Sequence, residues 1–186
     1  LSERPRDIAG KQACAAVGQC ELMYIYDREF AVYNHTVAQI LLTAPDLSCE
    51  DRRHKFSASL ERLLSLGVIP IINENDTVAT EEIVIGDNDT LAAKVAETVK
   101  ADLLILLSDI DGLYTADPHK DPNAVLLHKV TKIDDHIMNL AGVSSTTQGT
   151  GGMVTKLHAA QICLSCGCDM VIANGADPEL LYDIVA

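Results

Sequence analysis

Apolar positions along the chain follow two rhythms. Val68 to Ile72 (VIPII), Asp102 to Leu107 (DLLILL) and Met170 to Ala173 are short, nearly unbroken apolar runs, the pattern of strands buried on both faces. His35 to Thr43 (HTVAQILLT) reads as a further strand, Val125 to Val130 as a weaker one and Ile83 to Ile85 as a brief one. Between them the apolar residues recur every three or four positions. That spacing predicts helices over Pro5 to Ala31 (with Ile8, Val17, Leu22 and Tyr26), from Ser48 through Phe56, Leu60, Leu63 and Leu64 to Gly67, over Asn88 to Lys100, over Asp134 to Leu140 and over Met153 to Cys166. Pro5 suits a first helical turn, Ser48-Cys-Glu-Asp51 resembles a capping box, and Gly67 and Gly167 are stop signals. Gly142 to Gly152 is a Ser/Thr/Gly-rich loop, and Asp177 to Tyr182 opens a last helix.

Buried strands alternating with amphipathic helices define an α/β chain with a mostly parallel sheet. No internal repeat or linker interrupts it, so residues 1–186 are expected to form a single domain. Ligands of such sheets sit beyond the carboxyl ends of the strands. Polar clusters fall at those places: Asn73 to Asp76, Ser108 to Asp111, and Asn174-Gly175.

Composition narrows the classes. Hydrophobic residues make up 48% of the 186, which excludes a disordered chain, and no apolar run approaches the length of a membrane helix. The formal net charge is −13, with most of the excess acid after residue 60, so a general affinity for nucleic acid or anionic lipid is not expected. An anion would need a local site built from lysine, backbone donors or a metal. Six cysteines without a secretory leader fit a reducing cytoplasm. Three of them cluster at Cys163, Cys166 and Cys168 with His158 upstream; a zinc site can be drawn there, but a small apolar helix face ending at Gly167 explains the same residues.

Four constellations could carry chemistry. Gly149-Thr-Gly-Gly-Met-Val-Thr-Lys156 places three glycines before a helix whose first turn holds a lysine. It reads either as a phosphate-binding loop, using free N–H groups and Lys156, or as a plain helix entry with a solvated lysine. It is not a Walker-type loop, because the lysine follows the last glycine by four residues. Gly86-Asp-Asn-Asp89 has more capping residues than one helix needs, so the surplus can orient a lysine or accept from a substrate ammonium. Asn73-Glu-Asn-Asp76 is either an amine-binding surface or a turn. Leu107-Ser-Asp-Ile-Asp-Gly-Leu-Tyr114, followed by Asp117-Pro118, sits where a strand leaves toward a cleft.

Taken together, VIPIINENDTVA, IGDNDTLAA, LLILLSDIDGLYTADP, GTGGMVTKLHAA and VIANG resemble the amino acid kinase family, with KQACAAVGQ and AQILLT adding to the likeness upstream. The pairing of INEND with GTGGMxTK is most similar to the family's glutamate-phosphorylating members. Acetylglutamate kinases, aspartokinases and UMP kinases share the fold. The resemblance implies a three-layer α/β/α sandwich with a mainly parallel sheet. It implies phosphorylation of the γ-carboxylate of L-glutamate by ATP with Mg²⁺, the first step of proline synthesis, in a cytoplasmic dimer or tetramer. By motif, Asp76, Asn88 and Asn73 correspond to glutamate ligands. Ser108, Asp109 and the stretch Thr150, Gly151, Gly152, Met153, Val154, Thr155 and Lys156 correspond to nucleotide contacts. Lys156 and Asp89 correspond to catalytic positions, the carboxylate orienting lysine. The region 74–85 corresponds to the site of proline feedback. Mg²⁺ is expected on nucleotide oxygens and water rather than on protein ligands.

The family's first strand, with its lysine and glycine-rich turn, and its later Ser-Gly loop find no counterpart here. The chain opens on Leu1, and its final helix stops at Ala186. These features lead to the expectation of a piece of a longer protein, slow or inactive by itself. The alternatives are another kinase of the same fold, or a non-catalytic nucleotide- or proline-binding module.

Overall fold

A computed structural model describes residues 5, 7–78, 87–118, 120–143 and 152–186. The expected strand at Ile83 to Ile85 and most of the loop at Gly142 to Gly152 lie outside these residues. The chain divides into two compact units, residues 1–85 and 86–186.

The first unit holds α1 (Ile8–Ala31), β1 (Thr36–Leu42), α2 (Ala44–Ser48), α3 (Glu50–Ser65) and β2 (Val68–Glu74). β1 and β2 pair in parallel from Thr36↔Val68 to Leu42↔Glu74, with α2 and α3 forming the crossover that parallel strands require. Phe56 and Leu60, one turn apart on α3, are buried with Leu42 and Leu47. Three boundaries differ from the sequence reading. Helix α1 begins at Ile8 rather than Pro5, because the Asp7 carboxylate accepts from Gly10 N–H at 2.7 Å and caps it there. The capping box is Thr43 with Asp46 on α2, not Ser48 with Asp51; Ser48 ends α2, its hydroxyl donating to the Ala44 carbonyl. Burial works against the Asp46 charge, yet hydrogen bonds from Thr43 and the Arg52 guanidinium outweigh it and hold the carboxyl below the usual range. Strand β2 continues through Asn73 and Glu74, because the ladder with β1 pairs backbone groups whatever the side chain.

The second unit holds α4 (Asn88–Val99), β3 (Leu103–Ser108), α5 (Asp135–Val143), α6 (Met153–Cys166), β4 (Asp169–Asn174) and α7 (Leu180–Val185). β3 and β4 are parallel, from Leu103↔Asp169 to Ser108↔Asn174. Ala93 on α4 and Ala159 and Cys163 on α6 are 0% exposed, so small side chains let the two helices come close over the sheet. A second cluster joins Leu113, Ala141, Met153 and Leu157. Left-handed residues close both helices before their strands: Lys100 (φ 55°) after α4 and Gly167 (φ 78°) after α6. Gly167 meets the stop expected of it.

The segment Val125 to Val130 is not a strand; it makes one antiparallel bridge, Tyr114↔Leu126. Pro118 and Pro122 lie in the turn between the arms, where they can donate to no ladder, and the pairing stays local. Among the described residues the strands form two separate parallel pairs, β1–β2 in the first unit and β3–β4 in the second, where a single sheet was expected. Hydropathy reports that a strand is buried but not which strand it bonds to.

The cysteine cluster forms no metal centre; among the described residues no three His, Cys, Asp or Glu side chains converge. Cys166 Sγ donates to the Cys163 carbonyl and Cys168 Sγ to the Asp169 carbonyl, both at 3.3 Å. Burial, with lesser contributions from the neighbouring thiols, pushes the Cys163 thiol up to about 12.

Candidate phosphate and substrate sites

In the second unit, α4 and α6 each run into the following strand through a short connection and pack against it. Each helix is therefore antiparallel to its strand. The N-termini of both helices lie at the end of the sheet where β3 and β4 finish.

Five polar side chains lie at these N-termini, as a pair and a trio. Asp87 is the cap of α4, accepting from Thr90 N–H at 2.7 Å and from the Thr90 hydroxyl at 2.9 Å. Asp89 is thereby free of capping duty. Its Oδ2 accepts from Lys156 Nζ at 3.1 Å and from the Thr155 hydroxyl at 2.7 Å. The Thr155 hydroxyl also lies 2.8 Å from the Gly152 carbonyl, and its one proton serves one of the two acceptors at a time. The ion pair is largely sheltered, with side-chain exposures of 12% for Lys156 and 19% for Asp89. A lysine in the first turns of a helix opposes the helix dipole, and Asp89 offsets that cost.

The cap position of α6 is Gly152, with no side chain bonded to the helix end. Among the described residues, a Cβ built there would meet nothing within 4 Å. The first N–H groups of any helix lack intrahelical acceptors. Thr155 N–H and Lys156 N–H bond the Gly152 carbonyl at 3.1 and 3.3 Å, so the stretch combines the N–H groups that precede them with one oriented ammonium. Met153 is buried and anchors the turn, while Val154 is exposed. Thr150 and Gly151 lie outside the described residues. Asn88 is exposed in the first turn of α4.

At the carboxyl ends of the strands, Ser108 donates to Asp109 at 3.1 Å, and Asp109 faces solvent. Gly175 N–H bonds the Ser108 carbonyl at 2.8 Å, tying the end of β4 to that of β3. Asp111 accepts from the Asn174 amide at 2.9 Å and from the Tyr114 hydroxyl at 3.0 Å. The Asn174 bond first, then the Tyr114 bond, holds the Asp111 carboxyl below its usual range, and the same contact with Asp111 pushes the Tyr114 phenol up. The sequence marked these positions as polar, but the Asn174–Asp111 bond spans 63 residues and leaves no local trace.

In the first unit, Asn73 is the penultimate residue of β2 and Asp76 lies exposed in the turn that follows. The Asn73 side chain accepts from Glu74 N–H at 3.0 Å and donates to Gln19 Oε1 at 3.0 Å. Sequence reading gave Gln19 and Gln39 no role, though both fall in the segments KQACAAVGQ and AQILLT that carried the likeness.

The chain belongs to the amino acid kinase family, whose model matches residues 2–174, through both units. Among individual relatives, it is 55% identical over 178 residues to the glutamate 5-kinase of Carboxydothermus hydrogenoformans, covering 94% of this chain and 47% of that protein. It is 54% identical over 186 residues to the glutamate 5-kinase of Symbiobacterium thermophilum, covering 100% of this chain and 71% of that one. The chain thus spans about half the length of the first of these curated relatives and more of the second. The crystal structure of the isopentenyl phosphate kinase substrate complex aligns with a TM-score of 0.60 over 91% of this chain and 63% of that one, at 21% identity. The fold is accordingly the α/β architecture of that family.

Proposed function

We propose that the protein carrying this chain transfers the γ-phosphoryl group of ATP to the γ-carboxylate of L-glutamate, forming L-glutamyl 5-phosphate for proline synthesis. Two curated relatives more than half identical to the chain carry the name glutamate 5-kinase, which supports the choice of glutamate. The observation that carries the phosphate site is the sheltered Asp89–Lys156 pair at the N-terminus of α6. Residues 1–186 are taken as one kinase domain, in line with the family match through both units.

Such a transfer depends on positioning and on neutralising charge. The γ-carboxylate is already a nucleophile, so no side chain need remove a proton from it. Gly152 to Lys156, with Thr150 and Gly151 before them, would cradle the phosphates. Asp89 holds Lys156 in place until an anion shares its ammonium. Ser108 and Asp109 would contact the nucleotide, while Asp76, Asn88 and Asn73 would bind glutamate. The donor set suits a magnesium ion carried on nucleotide oxygens and water, since Asp89 is already engaged by Lys156 and Thr155. When bound, that ion spreads the charge developing between the β- and γ-phosphates. Feedback by proline near residues 74–85, a dimer or tetramer, and a cytoplasmic setting for six free cysteines complete the proposal.

Calorimetric titration of MgADP into the chain and into Lys156→Ala tests the phosphate site. Micromolar binding that the substitution abolishes is expected; equal binding by both overturns it. Titration of L-glutamate, N-acetyl-L-glutamate and L-aspartate then tests the acceptor. Preference for the acetylated compound would assign the chain to a different carboxylate kinase.

A further inference from the structure

The first unit contains a relay of three side-chain amides, one from each of β2, α1 and β1. Asn73 Nδ2 donates to Gln19 Oε1 at 3.0 Å, and Gln19 Nε2 donates to Gln39 Oε1 at 3.1 Å. Leu41 is the register partner of Asn73, so Gln39 lies on the same face of the ladder, two residues back. The direction of the relay has one origin. Glu74 N–H can only donate, and it bonds the Asn73 side chain at 3.0 Å, so Asn73 must turn its oxygen there and its NH₂ toward Gln19. Gln19 must then present its oxygen to Asn73 and its NH₂ to Gln39.

Core packing does not account for this arrangement. Helix α1 has no buried residue, Gln39 is exposed, and Gln19 is half-buried. Ordering a glutamine side chain costs rotamer entropy that its neutral hydrogen bonds do little more than offset. What the relay does is lock the plane and polarity of the Asn73 amide. The second proton on Nδ2 then has a fixed direction, and a fixed N–H is a donor for a carboxylate oxygen, not for an ammonium.

We infer that Gln19 is a positioning residue that orients Asn73 to donate a hydrogen bond to a carboxylate of the substrate. This rests on the reading that places Asn73 against glutamate. Calorimetric titrations of L-glutamate and of MgADP into the parent chain, Gln19→Met and Gln19→Glu test it. Glutamate keeps an oxygen facing Asn73, whereas methionine has a similar length and no such acceptor. Gln19→Met is expected to weaken L-glutamate binding about tenfold with MgADP binding unchanged, and Gln19→Glu to restore glutamate binding to within twofold of the parent. A purely structural Gln19 would move both ligands together. Should Gln19→Met lose MgADP binding, and so fail to fold, Gln39→Met removes only the exposed outer acceptor and is expected to weaken glutamate binding about threefold. Unchanged glutamate affinity in a folded Gln19→Met, with a parent that binds glutamate, overturns the role of Gln19 alone. A parent that binds MgADP but no glutamate overturns the assignment of Asn73 to that substrate, and this inference with it.

Discussion

Lys156 on α6 and Asp89 on α4, 67 residues apart in the chain, form a 3.1 Å ion pair between the first turns of two neighbouring helices. The pair joins the helix that follows the glycine-rich loop to the helix that follows Gly86-Asp87. It fixes where a positive charge sits before any ligand arrives.

Removing one partner leaves the other sheltered and uncompensated. Asp89→Ala is expected to lower stability by about 2–3 kcal/mol, because a hydrogen bond to a charged group is lost and Lys156 keeps its desolvation cost. Asp89→Ala combined with Lys156→Ala should cost less than the sum of the two single changes. Urea denaturation of the full double-mutant cycle measures the coupling, and strict additivity would show that the pair is not formed in solution.

The close approach of α4 and α6 depends on alanines with no exposed surface at the contact, Ala93 and Ala159. Ala159→Leu adds volume where none is free and should destabilise by roughly 1–3 kcal/mol. Ala159→Gly, which relieves packing but loosens the helix, should cost about 1 kcal/mol. Chemical denaturation midpoints for the two variants check the order.

Cys163 should be the least reactive of the described thiols, and Cys20, Cys49 and Cys166, all exposed, the most reactive. Timed alkylation with peptide mapping reads this directly. The same burial gives a pH dependence. The thiol is raised from 9.0 in the unfolded chain to about 12 in the folded one, so the folded state holds its proton longer. The associated stability is complete below pH 9 and declines as pH rises toward 12. Cys163→Ala should flatten that part of the alkaline stability curve.

The Tyr114 phenol is raised chiefly by its hydrogen bond to Asp111, while the Asp111 carboxyl is lowered by its bond from Asn174 first and by that from Tyr114 second. Asp111→Asn should bring the raised Tyr114 phenol back down toward its ordinary 10.0. Absorbance at the phenolate band, with Tyr114→Phe to identify the residue among five tyrosines, measures the change. At the acid end, the depressed Asp111 carboxyl contributes stability that is present above the unfolded value of 3.8 and is lost as pH falls below it.

Much of this architecture is visible in the order of residues. VIPII, DLLILL and the run at Met170 are strands because unbroken apolar segments of that length can be buried on both faces. Gly167 ends α6 because a left-handed residue there favours glycine. The surplus of acid at Asp87 to Asp89 was also legible: one carboxylate caps the helix, and the other takes a lysine. Where local signals compete, the reading slipped. Pro5 looks like a helix start, but Asp7 makes the capping bond; α3 does begin beside Ser48, at Glu50, while the capping box belongs to Thr43 on α2. Val125 to Val130 looks like a strand, but a strand needs a partner along its length and this segment finds one residue.

The amino-acid order by itself marked most of the described helices and strands and the polar residues that stand at the carboxyl ends of strands. Those properties follow from periodicity, backbone stereochemistry and side-chain polarity within a few neighbouring residues. Only the tertiary structure decided that the strands pair as β1–β2 and β3–β4, that Asp89 holds Lys156, that Asn174 reaches Asp111, and that Gln19 bridges Asn73 and Gln39. Each of these is a hydrogen bond or ion pair between separate elements of structure. Its formation depends on where packing brings the two partners, and nothing in the residues adjacent to either one specifies the other.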